Sequence, residues 1–217
     1  MLNALGPPFF IIVVIAVVGW FALATQRNVR KGNDALRWLQ DGLKLLGEKT
    51  NLRWLGSSVV ELTIPSAKEP FRQAEVVLVL EPRDVPFLWW YYRVRGRRDL
   101  LIVRGRLRRA PGFEFEALDP RCWTTHTIEK QVRSRNWNPV ALPESSPLVA
   151  YAAEDLPSAI HLLEAITLTG CTPVRLGIRR TGTNLEVQWH LAEIQKIPAC
   201  EVFAAIARIP QHTATCR

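Results

Sequence analysis

Residues 9–24 read FFIIVVIAVVGWFALA. No charged side chain occurs between Met1 and Gln26. With Leu5–Pro8 added, the run reaches the roughly 20 residues that a helix, rising 1.5 Å per residue, needs to cross about 30 Å of hydrocarbon. Hydrocarbon offers no hydrogen-bond partners, so the backbone must satisfy itself, and a helix does that internally. Pro7 and Pro8 suit a helix start, where the first N–H groups have no partner to lose. Trp20 and Phe21 suit one membrane–water boundary. A core helix of a globular domain would carry a polar stripe, and this run has none. Residues 1–26 therefore read as a transmembrane anchor. A cleaved signal peptide is the rival, because Ala22-Leu23-Ala24 is a small-x-small pattern. Against it, MLNALG lacks the positive charge of a leader, and the apolar run is long for one.

Moving outward, basic side chains begin as soon as the apolar run ends: Arg27, Arg30, Lys31, Arg37 and Lys44. Positive charge is retained in the cytoplasm, so the bulk of the chain is expected there, as a single-pass protein of the cell membrane. The whole chain of 217 residues carries a formal net charge of +8, which favours anionic partners. Its four cysteines, Cys122, Cys171, Cys200 and Cys216, form no CxxC pair and are spread too widely for a disulfide framework. Free thiols in a reducing compartment agree with the cytoplasmic placement.

Residues 27–48 read as a juxtamembrane amphipathic helix. Leu36, Leu39, Leu43 and Leu46 recur at spacings of three and four, and Gly47 suits the position past the end. Gly42 should weaken this helix by about 1 kcal/mol relative to Ala. Residues 49–217 then read as a soluble domain, with halves at 49–118 and 148–209. The fold class expected is α+β, a transmembrane helix followed by a mixed or antiparallel sheet. Strands are expected within 52–64, 74–81, 99–108 and 113–118, where β-branched residues alternate and prolines bound the runs. FEFEAL (113–118) should pair antiparallel with the strand before it, bringing Glu114 and Glu116 across from arginines. In the second half, LVAYAA (148–153) reads as a buried strand and 154–170 as a helix. PVRLGIRR and LEVQWHLAEI read as a hairpin around 181–184, and 198–209 as a closing helix. This β-α-β-β-α order resembles an incomplete ferredoxin-like unit, in topology alone.

Catalytic patterns are absent. The chain has no GxxxxGK, GxGxxG, GxSxG or HExxH motif and no EF-hand loop, and no pair of carboxylates stands out for acid–base work. Cys122-x-x-x-His126 and His212-x-x-x-Cys216 would together make a zinc-type ligand set, but they lie far apart in sequence, and a packed cysteine beside a loose tail explains them more simply. No catalytic residue, cofactor or metal ligand is assigned. His161 and His190 read as structural.

One stretch remains unaccounted for: PFLWWYYRVRGRR, residues 86–98. Aromatic rings with polar edges favour the headgroup level of a bilayer, and arginines beside them attract anionic lipid. Nucleic acid would also suit rings and arginines, but no RNP-like or helix-turn-helix pattern accompanies them. The plainer alternative packs Phe87, Leu88, Trp90 and Tyr91 on the sheet and leaves the arginines as a solvated rim. The residues that read as a membrane or anionic-partner contact are Trp89, Trp90, Tyr92, Arg93, Arg95, Arg97, Arg98, Arg104 and Arg106. The functional expectation is a membrane-anchored, non-enzymatic adaptor, anchor or accessory subunit with a membrane-associated protein partner. The alternative is a membrane-tethered enzyme that binds an anionic substrate through Arg95, Arg97, Arg104 and Arg106.

Overall fold

The computed structural model describes residues 6–135, 137–142, 146–153, 163, 164, 167 and 170–213. Its first element, α1 (Gly6–Leu46), is one unbroken helix of 41 residues, about 60 Å long at 1.5 Å per residue. The anchor segment and the amphipathic segment are thus a single rod. Neither glycine nor proline falls between Trp20 and Lys31, so nothing in the backbone interrupts the helix where its side chains turn from apolar to charged. Its N-terminal part is long and apolar enough to cross a membrane, and every residue from Phe9 to Leu23 is exposed. Beyond that point the helix acquires a buried face, made by Ala35, Leu39, Leu43 and Leu46, while Leu36 is half-buried.

That face packs on a nine-stranded sheet in the order β1-β2-β3-β4-β9-β8-β5-β7-β6. The strands are β1 (Asn51–Leu55), β2 (Val59–Ile64), β3 (Phe71–Val79), β4 (Leu100–Leu107), β5 (Phe115–Leu118), β6 (Asn138–Val140), β7 (Val149–Ala152), β8 (Arg175–Ile178) and β9 (Leu185–His190). Every ladder is antiparallel. The α+β class with an N-terminal apolar helix is therefore observed, and the sheet is antiparallel rather than mixed. Helices α2 (Pro86–Val94), α3 (His126–Ser134), α4 (Leu191–Ile194) and α5 (Ala199–Thr213) complete the described elements. Alternate side chains of the strands, such as Val60, Leu62 and Ile64 or Leu101 and Val103, meet α1 and α5 in one core. On the other face a smaller group, Leu100, Ile102, Cys122 and Val174, is buried with help from Val77, Val79 and Trp123.

Two pairings differ from the sequence reading. FEFEAL supplies β5, but β5 pairs with β7 and β8, not with β4. The β8–β9 hairpin sits between them, with β9 on β4. Glu116 does meet arginines across a ladder, but they are Arg175 and Arg179 on and just beyond β8. The second half keeps part of the expected topology: β7 and β8, which flank 154–170, run parallel to one another with one antiparallel strand between them, as a split β-α-β unit requires, but that strand is β5 and not β9. The helix expected over 154–170 lies almost wholly outside the described residues, as does His161.

α1 crosses α5 at close range. A Cβ on Gly42 would stand 2.3 Å from the Phe203 ring and 2.6 Å from the Ala199 carbonyl oxygen. The Trp38 indole N–H donates to the Ile197 carbonyl at 2.9 Å, and Lys68 N–H donates to the Leu46 carbonyl at 2.6 Å. These bonds tie the C-terminal half of α1 to the β2–β3 connection and to the segment before α5. The apolar half and the domain consequently share one axis.

Candidate functional site

The stretch 86–98 forms α2 and its cap. Pro86 occupies the first turn of α2, where its missing N–H costs nothing. The end is a Schellman cap: Gly96 takes a positive φ of 81°, its N–H donates to Arg93 O at 3.1 Å, and Arg97 N–H donates to Tyr92 O at 2.9 Å. Glycine reaches that backbone region without the steric cost a Cβ brings.

No side chain of α2 is fully buried. Phe87, Trp90 and Val94 are 85%, 65% and 70% exposed, and Leu88 and Tyr91 are more than two-fifths exposed. Positions 87, 90, 91 and 94 lie three and four apart, so they share one helical face. That face points away from the protein. The alternative in which Phe87, Leu88, Trp90 and Tyr91 pack on the sheet is therefore not what this fold does.

The opposite face of α2 is tied down. Trp89 Nε1–H donates to Glu81 Oε2 at 2.7 Å, and Arg93 donates to Glu81 Oε1 at 3.1 Å. Glu81, just past β3, is almost wholly buried, as is Asp99 just before β4. Asp99 Oδ1 accepts the Glu81 N–H at 2.6 Å, and its Oδ2 accepts from Arg83 at 3.0 Å and from Lys31 of α1. Burial alone would push the Asp99 carboxyl up, but the Arg83 guanidinium, the Lys31 ammonium and the Glu81 amide together hold it below the usual carboxylate range. Asn28 of α1 is fully buried beside it, donating to Glu81 O at 3.1 Å and accepting from Arg83 at 2.9 Å. About two turns nearer the N-terminus of the rod, Trp20 Nε1–H donates to Arg83 O at 3.0 Å and its ring lies 6.3 Å from that of Trp89. Glu81, Asp99, Arg83 and Asn28 thus lock α2 against α1 at the last turns of the apolar run.

Between α1 and α2 lies a groove of about 910 Å³, walled by Trp20, Leu23, Arg27 and Arg30 on one side and Arg83, Trp89 and Arg93 on the other.

The sequence-nominated residues divide into three sets. Trp90 stands on the outward face. Trp89 and Arg93 face inward on Glu81, and Tyr92 is half-buried beneath the Arg97 guanidinium, 5.0 Å away. Arg95 stacks over Tyr91 at 4.2 Å, Arg97 also covers Trp123 at 4.2 Å, and Arg98 donates to the Arg93 and Arg97 carbonyls at 2.9 Å each. Arg104 and Arg106 lie further along β4, where Arg104 pairs with Glu75 and Glu186 and Arg106 is exposed. They do not join the α2 group. Phe87, Tyr91 and Val94 share the outward face with Trp90 and were not singled out, although their three- and four-residue spacing with Trp90 was the available signal. Arg27 and Arg30 were read only as topology signals. Glu81 and Asp99 gave no local signal at all.

Among the described residues no cluster of three or more His, Cys, Asp or Glu side chains is placed to hold a metal ion. Cys122 is buried, with its sulfur 3.3 Å from the Thr124 hydroxyl, and Cys216 lies outside the described residues. No protein-family model matches the chain, and no curated protein matches it in sequence.

Proposed function

We propose that this is a single-pass membrane protein whose basic domain sits in the cytoplasm against the inner leaflet and serves as an adaptor, anchor or accessory subunit without catalysis of its own. The observation that carries the reading is the outward aromatic face of α2, held by Trp20 and Trp89 at the level where the apolar run of α1 ends. A helix with one apolar face, flanked by arginines, suits the boundary between headgroups and acyl chains. Tethering by α1 keeps the local concentration of membrane high, so a weak contact is enough.

The arrangement of charge argues against the alternative, a membrane-tethered enzyme. Arg95 and Arg97 are spent on aromatic rings and Arg104 on two glutamates, so the four arginines assigned to an anionic substrate do not converge. The buried carboxylates Glu81 and Asp99 are each occupied by several donors, which suits a structural lock better than proton transfer.

Protease digestion tests the placement. Protease added to intact cells should leave residues 49–217 whole, and the same protease should cleave them once the cells are permeabilised. Removing residues 1–26 should release the domain from membranes washed at high salt. Digestion of intact cells from outside would contradict the orientation, and a truncated chain that stayed with washed membranes would contradict α1 as the sole anchor.

A further inference from the structure

The groove between α1 and α2 changes character along its length. Trp20, Leu23, Arg27 and Arg30 are spaced three, four and three apart, so they form one stripe of α1, and all four line the groove. The stripe is apolar at one end and cationic at the other. Trp89 extends the apolar wall.

The charges in the groove do not balance. Lys31, Arg83 and Arg93 are matched to Asp99 and Glu81, and Asp34 is turned to Arg37 at 3.5 Å. Arg27 and Arg30 are exposed and have no carboxylate partner among the described residues. Two guanidinium groups one turn apart, left unpaired beside an already cationic wall, suit a phosphate: the planar fork of arginine meets two phosphate oxygens at once. A soluble anion would use the two arginines and leave Leu23 and Trp20, 69% and 43% exposed, without an occupant. An acyl chain running along α1 would cover both.

We propose that this groove binds one anionic glycerophospholipid from the leaflet around α1, with the headgroup phosphate on Arg27 and Arg30 and the upper acyl chain against Trp20, Leu23 and Trp89. The assignment rests on α1 spanning a membrane, as proposed above. A zwitterionic lipid carries the same phosphate, but its choline cation would stand among Arg27, Arg30 and Lys31. The site should therefore discriminate by net headgroup charge.

The test uses the full chain in micelles of a neutral detergent, with bound lipid counted by native mass spectrometry. The probes are phosphatidylglycerol, phosphatidylcholine and glycerol 3-phosphate. At the energy that one arginine contributes near an anionic headgroup, two should give phosphatidylglycerol an advantage of about thirtyfold over phosphatidylcholine. Arg27→Gln with Arg30→Gln should lose about as much. Removing the same charge elsewhere on α1, by Arg37→Gln with Lys44→Gln, should lose little. Equal binding of the two lipids, or unchanged phosphatidylglycerol binding by the Arg27/Arg30 pair, would overturn the proposal. Binding of glycerol 3-phosphate as tight as that of the lipid would replace it with a soluble-anion site. Because micelles have no inside or outside, this result stands apart from the protease test. An exposed domain with retained lipid binding sinks the orientation alone, and a protected domain without lipid selectivity sinks the groove alone.

Discussion

At the scale of single residues, Asp99 is the post on which α1, α2 and the sheet are joined. Its carboxylate accepts from Arg83, Lys31 and the Glu81 backbone, and it is ionised in the folded state more readily than an ordinary carboxylate because those donors outweigh its burial. A folded-state pKa held below the unfolded value means stabilisation that is present above about pH 3.9 and lost as pH falls through the folded value. Asp99→Asn should remove that acid limb from a plot of stability against pH. It should also cost about 3–5 kcal/mol at neutral pH, since it leaves Lys31 and Arg83 facing a neutral amide in a largely buried site. Urea denaturation of the detergent-solubilised chain, followed by near-ultraviolet circular dichroism between pH 3 and 7, would measure both. An Asp99→Asn curve that keeps the wild-type acid limb would show that the lock lies elsewhere. None of this was legible from sequence. Glu81 and Asp99 sit 18 residues apart with an entire helix between them, and only the folding of β3 beside β4 makes them neighbours.

At the scale of elements, α1 shows where local reading succeeds and where it stops. The apolar run, the leucine face of 36–46 and the strand alternation follow from side-chain periodicity, which a sequence displays directly. The hairpin around 181–184 follows from local turn chemistry, with Gly182 at φ 77°. The continuity of α1 was missed because polarity changes at Arg27, whereas helix formation depends on backbone propensity, and that does not change there. Strand partnership was missed for a related reason: FEFEAL displays which faces it will bury, not which strand it will join. Gly42 was likewise read as a weak point of a helix. In the fold it is where α5 comes closest, with Phe203 and Ala199 within 2.6 Å of where a Cβ would stand. Gly42→Ala should therefore destabilise the chain by about 1–3 kcal/mol through overpacking, despite alanine's better helix propensity of about 1 kcal/mol. Gly19→Ala provides the contrast, because nothing lies within 4 Å of its added methyl, and its denaturation midpoint should match or exceed that of the parent chain. A stabilised Gly42→Ala variant would mean that α1 and α5 do not cross as closely as described.

At the scale of the whole molecule, one rod does two jobs. Its first half is exposed and apolar, its second half is core, and no hinge separates them. The height of the domain above the end of the apolar run is therefore set by the helix itself, and α2 is clamped at that height by Trp20, Trp89 and the Glu81–Asp99 cluster. The aromatic–arginine segment stood out in sequence, but the division of labour within it did not. Trp89 and Arg93 hold the helix, and Phe87, Trp90 and Val94 face outward. The central claim is that this outward face lies in the membrane boundary. Spin-label depth measurement tests it most directly. Nitroxides are placed singly at positions 87, 90 and 94 of the full chain in phospholipid nanodiscs, with position 53 on the exposed edge strand β1 as reference. The account predicts that labels at 87, 90 and 94 collide with dissolved oxygen in preference to a water-soluble nickel chelate, at headgroup-to-acyl depth, while the label at 53 shows the reverse. Labels at 87, 90 and 94 as open to the nickel chelate as the label at 53 would contradict it.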